Sequence, residues 1–290
     1  MKHLQFKNAC ALLMLLIGCM VLPMVHAKEV ISVELPRKNN DKPITISALV
    51  QMAPQPNGTA LFIFPGWPGI PRIEVKNGEP SYLYLQAHVE LMQPTLHAAG
   101  ISTVTVDCPT DQWGIRGPNP SACDDNYRSS VQHAEDIRVL VQQIKKQKGI
   151  HKVVIMGHSY GAVSSHWLSV NLTSDDIHSA IHSASQTIAG GGAYTQYASS
   201  MDQFKHAEAK VPFVYLHHKN DLCRFTPYSF VAKHAKLGQL ITVLGGNRWS
   251  EVCGKASFHS YSERTAALSE ALVTYLNRGE VVPVVKGSDD

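Results

Sequence analysis

The stretch KVVIMGHSYGAVSSHWL, from Lys152 to Leu168, constrains the fold of this chain more than any other segment. Its first residues are apolar and β-branched, which predicts a buried strand, and the residues after Gly161 have the composition of a helix. A serine between two glycines at such a junction is typical of the G-x-S-x-G turn, which exposes a serine hydroxyl above the end of a sheet. We therefore predict that Ser159 is a nucleophile held by a strained strand-to-helix turn.

Strands alternate with helices along the rest of the chain. A helix is predicted between the cap Ser130 and Gly149, and others over about 81–99, disturbed at Pro94, and about 261–276. Strands are predicted over 29–35, 44–52, 59–64, 101–106, 177–185, 211–218 and 239–244. Two leading strands followed by alternating elements predict an α/β fold, with a doubly wound, mainly parallel sheet and an antiparallel edge.

Several function classes find no support in the residues. There is no G-x-G-x-x-G after the first strand and no Walker loop, so we expect no nucleotide cofactor. We also expect no metal, because no cysteine pair has C-x-x-C spacing and the neighbours His217 and His218 point to opposite faces of a strand. With 26 basic and 23 acidic residues, the chain shows no charge bias toward nucleic acid or an anionic membrane.

Residues 1–27 have the pattern of a secretory signal peptide. Two lysines precede the apolar run ACALLMLLIGCMVL, and the small-residue pattern that follows Pro23 ends at Ala27. The alternative is a lipoprotein signal, in which Cys19 would carry the lipid. No later segment is apolar for long enough to span a bilayer, so a secreted or periplasmic protein is expected.

A serine nucleophile needs a base, and the base needs an orienting acid. On a sheet of this type, the acid and then the base follow the serine from loops after later strands. Asp221 lies just past the strand at 211–218, whereas Asp202 falls in a predicted helix and Asp107 precedes Ser159. We therefore predict Asp221 as the acid.

Two histidines follow that acid in the chain. His234 falls in a helical segment and is predicted to lie on the surface. His259 lies in a loop after the last of the predicted strands and directly before the last helix, which is where this fold delivers a base. We therefore predict His259 as the general base.

At this point the chain resembles the α/β-hydrolase superfamily of serine hydrolases. The resemblance rests on GHSYG, the HKND loop and the FHSY loop, and covers nearly all of residues 28–290 in element order. It implies one α/β-hydrolase domain without a large cap, since the segment 185–210 is short. It also implies Ser159 as nucleophile, Asp221 as acid and His259 as base.

The same resemblance implies two backbone N–H donors for a tetrahedral oxyanion. One belongs to Tyr160, the residue after the nucleophile, and the other to Trp67 in the loop FPGWPGI. Pro65 stands where many esterases of this superfamily have a histidine. The second donor could therefore shift to Gly66, because Pro68 has no N–H.

Four cysteines lie beyond the predicted signal, and an exported chain favours disulfides. The loops of the acid and the base must meet, so Cys223 is predicted to pair with Cys253. Cys108 and Cys123 would then close the Pro- and Gly-rich loop between them.

The expected function is hydrolysis of a small-molecule ester or related acyl substrate through an acyl-enzyme, and the residues do not indicate whether there is a partner protein. The alternatives are a peptidase or amidase on the same fold, and a catalytically silent binding protein. Three aromatic residues in loops near the predicted site are candidates for lining its pocket: Trp113, Tyr194 and Trp249.

Overall fold

The computed structural model describes residues 28–113, 123–188 and 208–287. The predicted signal peptide over 1–27, with its alternative lipid site at Cys19, lies outside the described residues. So do Asp202 and Tyr194.

A single nine-stranded sheet organises the described chain. Its strands run in the order β1-β2-β6-β3-β7-β8-β9-β10-β11. In chain order the strands of the described residues are β1 (Lys28–Asn39), β2 (Lys42–Gln51), β3 (Thr59–Phe64), β4 (Glu74–Lys76), β5 (Glu79–Ser81), β6 (Ser102–Val106), β7 (Lys152–His158), β8 (Ser179–Ser183), β9 (Phe213–His218), β10 (Leu240–Val243) and β11 (Val284–Val285). Strands β4 and β5 form a separate two-stranded sheet. From β6 to β11 all neighbours are parallel, while β1 and β2 form the antiparallel edge. The predicted fold class is confirmed.

Helices cover both faces of this sheet. They are α1 (Ala87–Ala98), α2 (Asp125–Arg128), α3 (Val131–Lys148), α4 (Ala162–Asn171), α5 (Tyr228–His234) and α6 (Thr265–Arg278). Apolar residues of α3 and α4 pack on one face, and those of α1 and α6 on the other. In β3, Phe62 belongs to the first cluster and its neighbours Leu61 and Ile63 to the second. A strand buried on both faces is continuously apolar for this reason.

Helix α3 begins and ends where the sequence predicts. The hydroxyl of Ser130 accepts a hydrogen bond from the amide of His133 at 3.1 Å, which satisfies one of the free amides of the first turn. Gly149 follows the last turn in the left-handed conformation, with φ of 66°.

The segment before α1 differs from the prediction. A small hairpin of β4 and β5 ends at Ser81, residues 82–86 are irregular, and the expected helix begins only at Ala87. The helix also continues through Pro94 instead of being disturbed there. Proline costs the helix the hydrogen bond to the carbonyl four residues earlier, and that carbonyl belongs to Glu90, an exposed residue.

The chain changes direction across the sheet at β3. After β3 the chain crosses to β6 on one side and then returns to β7 on the other. Ligands bind at such a switch point, beyond the carboxyl ends of the strands. Phe64 at the end of β3 pairs with Gly157 of β7, so the loops after both strands emerge side by side.

No connection within the described residues forms a separate helical cap over this edge of the sheet. Among the same residues, no helix combines the length and the apolar character needed to cross a bilayer.

Candidate active site

Ser159 lies in a strained turn directly after β7. Its φ is 55°, in the left-handed region that non-glycine residues rarely adopt. A Cβ at Gly157 would lie 2.1 Å from the carbonyl oxygen of Gly161, and one at Gly161 would lie 2.0 Å from that of Phe64. Both positions therefore require glycine for close packing. The turn presents Ser159 between β7 and α4, as the sequence predicts.

The side chains of Asp221 and His259 meet from two separate loops. Asp221 follows β9, and His259 lies in the short 3-10 turn Phe258–Ser260 before α6. Nδ1 of His259 lies 2.9 Å from Oδ2 of Asp221, and both side chains are buried. An ionised carboxylate only accepts hydrogen bonds, so Nδ1 donates and Nε2 is left as an acceptor.

Three further groups hold the carboxylate of Asp221. The amide of Cys223 donates to Oδ1 at 2.9 Å, and the hydroxyl of Thr226 donates to Oδ2 at 2.9 Å. Nε2 of His217 lies 3.3 Å from Oδ2 and 2.9 Å from the carbonyl oxygen of Thr226. Burial alone would raise the pKa of Asp221, but its hydrogen bonds with His217 and His259 bring that pKa well below its usual value. Asp221 is therefore ionised at neutral pH.

Ser159 and His259 open on one pocket of about 500 Å³. Within the described residues no hydrogen bond joins their side chains. Trp67 and Tyr160 line the same pocket, and their rings meet edge to face at 5.7 Å. The structure thus brings Ser159, His259 and both predicted oxyanion donors to one cavity, while Asp221 lies behind the histidine.

The loop that carries Trp67 is anchored by buried groups. The carbonyl oxygen of Pro68 accepts a hydrogen bond from the amide of Cys123 at 3.0 Å, and the amide of Gly69 donates to the Tyr84 hydroxyl at 2.9 Å. The guanidinium of the buried Arg128 donates to the carbonyl of Gly69 at 3.4 Å and to Ser164 at 2.7 Å.

The same guanidinium lies 5.0 Å from the ring centroid of Tyr160. The hydroxyl of Tyr160 donates in turn to the carbonyl of Cys123 at 2.9 Å. Arg128 therefore packs against both loops that carry the predicted oxyanion donors. Sequence reasoning missed it, because nothing in its neighbourhood marks it as buried.

Two more imidazoles pack beside His259. The ring centroid of His158 lies 4.9 Å from that of His259 and 4.2 Å from that of His88. Nδ1 of His158 is 3.0 Å from the hydroxyl of Ser183. Burial lowers the pKa of His88 to about 3 and that of His158 well below its ordinary value. Both imidazoles are therefore neutral at neutral pH. The sequence analysis did not identify either residue as part of the site, because the side chains that they contact are distant along the chain.

The two expected cysteine pairs lie at disulfide distance. The Cα atoms of Cys108 and Cys123 are 5.8 Å apart, and those of Cys223 and Cys253 are 4.8 Å apart. Cys223 and Cys253 also line the pocket, beside the loops of the acid and the base.

Asp107 and His234, the acid and the histidine that the sequence did not favour, do not line the pocket of Ser159. The carboxylate of Asp107 accepts hydrogen bonds from the amides of Ile73 and Cys108, and burial raises its pKa to about 7. Its role is to hold the turn after β6. His234 ends α5 and stacks on Phe230 at 4.5 Å, away from the pocket.

Of the predicted pocket aromatics, Trp113 and Trp249 do not line the pocket, and Tyr194 lies outside the described residues. The indole of Trp113 donates to the carbonyl of Cys108 at 2.8 Å, while Trp249 is 71% exposed and bonds Glu263. Within 28–113, 123–188 and 208–287, no cluster of histidine, cysteine or acidic side chains is arranged to hold a metal ion.

Comparison with known proteins identifies the fold. No family model matches this chain, and no curated protein matches it by sequence. The structure of a 2,6-dihydroxy-pseudo-oxynicotine hydrolase superposes with a TM-score of 0.54 at 15% identity, covering 90% of this chain and 72% of its own. Est1E from Butyrivibrio proteoclasticus superposes with a TM-score of 0.54 at 15% identity, covering 85% of this chain and 96% of its own. The chain has the α/β-hydrolase fold, which confirms the predicted resemblance at the level of architecture.

Proposed function

We propose that this chain is a serine hydrolase that cleaves a carboxylic ester of a small molecule through an acyl-enzyme. The observation that carries the proposal is one arrangement: Ser159 in a left-handed turn shares a pocket with His259, whose Nδ1 bonds the buried Asp221. This is the set of roles that serine nucleophiles require, a hydroxyl, a base and an acid that orients the base.

Ser159 Oγ attacks the ester carbonyl carbon, and Nε2 of His259 accepts the hydroxyl proton as the new bond forms. The amides of Trp67 and Tyr160 donate to the carbonyl oxygen, which becomes an oxyanion. The tetrahedral intermediate then collapses, and the imidazolium returns the proton to the departing alcohol. Water, deprotonated by His259, attacks the acyl-enzyme in the same way and releases the acid.

The electrostatics of the described site suit this sequence. Asp221 is ionised, so it stabilises the positive charge that develops on His259 during each attack. His88 and His158, the neighbouring imidazoles, remain neutral because burial opposes their protonation. The proton taken from Ser159 therefore stays on His259 and does not move to a neighbouring ring.

The walls of the pocket favour an apolar acyl or alcohol group. Leu85, Phe225 and Trp67 are apolar residues that line the same cavity as Ser159. Among the described residues that line the pocket, Lys255 is the one lysine or arginine, and it is exposed. The hydrolase described among the structural neighbours supports a hydrolytic reaction on this fold.

A panel of p-nitrophenyl esters of increasing acyl length, run beside matched anilides, tests the reaction class. We expect ester turnover that Ser159→Ala removes and that Ser229→Ala, at an exposed serine of α5, leaves unchanged. Robust anilide turnover with negligible ester turnover would instead establish a peptidase or amidase. Absence of both reactions in folded protein would favour a binding protein.

The proposal places the enzyme outside the cytoplasm. Its supports are the signal-like residues 1–27 and the two cysteine pairs at disulfide distance, which persist in oxidising compartments.

A further inference from the structure

Gln86 is a pocket residue whose side chain does not cap the helix that follows it. It is the residue directly before α1, and its side chain makes no capping hydrogen bond to that helix. Glutamine is also not among the residues preferred at this position. The side chain lines the pocket that contains Ser159.

The carboxamide of Gln86 makes no hydrogen bond with the described residues. Its Oε1 is buried without a partner. Gln93, on the same helix, differs: its Oε1 accepts from Gln51 at 3.2 Å and its Nε2 donates to Thr103 at 2.8 Å. A buried acceptor without a partner, such as Oε1, destabilises a fold. The Nε2 donor of the same carboxamide also has no partner among the described residues, and this donor is the atom that is available to an acceptor in the pocket.

The carboxamide nitrogen of Gln86 and the side chain of Ser159 both lie close to Gly66. A Cβ built on Gly66 would be 3.2 Å from Nε2 of Gln86 and 3.3 Å from Cβ of Ser159. Gly66 directly precedes Trp67, the proposed backbone donor. A side chain at Gly66 would therefore touch both groups, and its absence leaves Nε2 of Gln86 and Ser159 on the same pocket, next to the loop of the proposed backbone donor.

We propose that Nε2 of Gln86 donates a hydrogen bond to the substrate carbonyl oxygen as that oxygen becomes an oxyanion. This inference rests on the proposed function, since it needs Ser159 as the nucleophile. The carboxamide stays neutral and transfers no proton, so it adds a third donor to the two backbone amides. A full negative charge accepts such bonds more strongly than the ester carbonyl does, which concentrates the effect in the transition state.

The test compares Gln86→Met and Gln86→Glu with the control Gln142→Met, at an exposed position of α3. Met keeps the length of the side chain and removes the donor, while Glu sets a negative charge beside the oxyanion. Removing an oxyanion donor elsewhere lowers kcat by 10²–10³, and with two backbone donors remaining we expect about 10–100-fold for Gln86→Met. Gln86→Glu should lose more, both variants should keep KM within a few fold, and the control should match the parent.

A trifluoromethyl ketone, which forms a tetrahedral oxyanion on serine, provides a second readout. For Gln86→Met its inhibition constant should rise by the same factor by which kcat/KM falls, because both report on the oxyanion. A raised KM with unchanged kcat, or an unchanged inhibition constant in both folded variants, would overturn the proposal.

Labelling of Ser159 by a fluorophosphonate in the parent distinguishes a failure of the role of Gln86 from a failure of the proposed hydrolase function. Without labelling at Ser159 the proposed function itself fails. With labelling, and with kcat unchanged in both variants, only the role of Gln86 fails. Near-ultraviolet circular dichroism establishes that each variant is folded. If Gln86→Met does not fold, the kcat/KM and the trifluoromethyl ketone inhibition constant of Gln86→Glu decide whether Gln86 acts on the oxyanion.

Discussion

Cys223 and Cys253 join the two loops that carry Asp221 and His259. Cys223 lies two residues past Asp221, its amide bonds the Asp221 carboxylate, and Cys253 lies six residues before His259. Because the pair sits at disulfide distance, it would fix the relative position of the acid and the base.

Reduction of the chain should therefore lower activity before it unfolds the domain. A loosened acid loop displaces the imidazole, and displacement of about 1 Å can cost 10²-fold in rate. Stepwise dithiothreitol, with ester turnover and near-ultraviolet circular dichroism measured on the same samples, checks this. If turnover and ellipticity are lost at the same dithiothreitol concentration, the Cys223–Cys253 link is purely structural. If the reduced, folded protein keeps full activity, the link has no catalytic role.

Asp221→Asn should remove most activity and weaken the fold in a pH-dependent way. An amide presents its N–H to the imidazole and favours the wrong tautomer, which in a comparable triad costs about 10⁴-fold in kcat. Because the pKa of Asp221 is lowered in the folded state, its carboxylate stabilises the fold above its unfolded pKa of about 3.9.

The stabilisation by the Asp221 carboxylate is lost as the pH falls from its unfolded pKa through its lower folded-state pKa. Urea unfolding at pH 7, 5 and 3 measures this. The free energy of unfolding should be higher for the parent than for Asp221→Asn at pH 7 and 5, and the difference should be smaller at pH 3. A difference in the free energy of unfolding that grows toward pH 3 would contradict the ionised state of Asp221.

Replacements of Ser159 should separate strain from chemistry. Both Ser159→Ala and Ser159→Gly remove the nucleophile, but only glycine adopts a φ of 55° without steric cost. We expect Ser159→Gly to be more stable than Ser159→Ala by about 1 kcal/mol in chemical denaturation. Equal stabilities would mean that the turn stores no strain at this residue.

The exported protein should begin at Lys28. The basis is the small-residue pattern that ends at Ala27. Amino-terminal sequencing of protein secreted from its host measures this directly. A blocked terminus with lipid on Cys19 would instead establish the lipoprotein alternative.

The sequence predicts those features that depend on local pattern and chain order. The alternation of elements, the caps of α3 and the turn at Ser159 follow from residues close together in the chain, while Asp221 and His259 are predicted from their order after Ser159. The cysteine pairing follows because the acid and base loops must meet.

The remaining features of the site depend on packing between distant segments. Thr226 and His217 contact the Asp221 carboxylate only because the chain turns after β9. Gln86 and His88 line the pocket at the start of α1, which begins at Ala87 after an irregular segment. A helix predicted from 81 onward gives no reason to place either residue beside Ser159.

Mapping of a fluorophosphonate adduct by peptide mass spectrometry tests the central claim most directly. In the folded parent we expect a single adduct at Ser159, formed at a rate that falls steeply in His259→Ala, because the base must accept the hydroxyl proton. Ser159→Ala should take up no label, and Ser229→Ala should label like the parent. An adduct at a different serine, or none in folded protein that hydrolyses esters, would contradict the account.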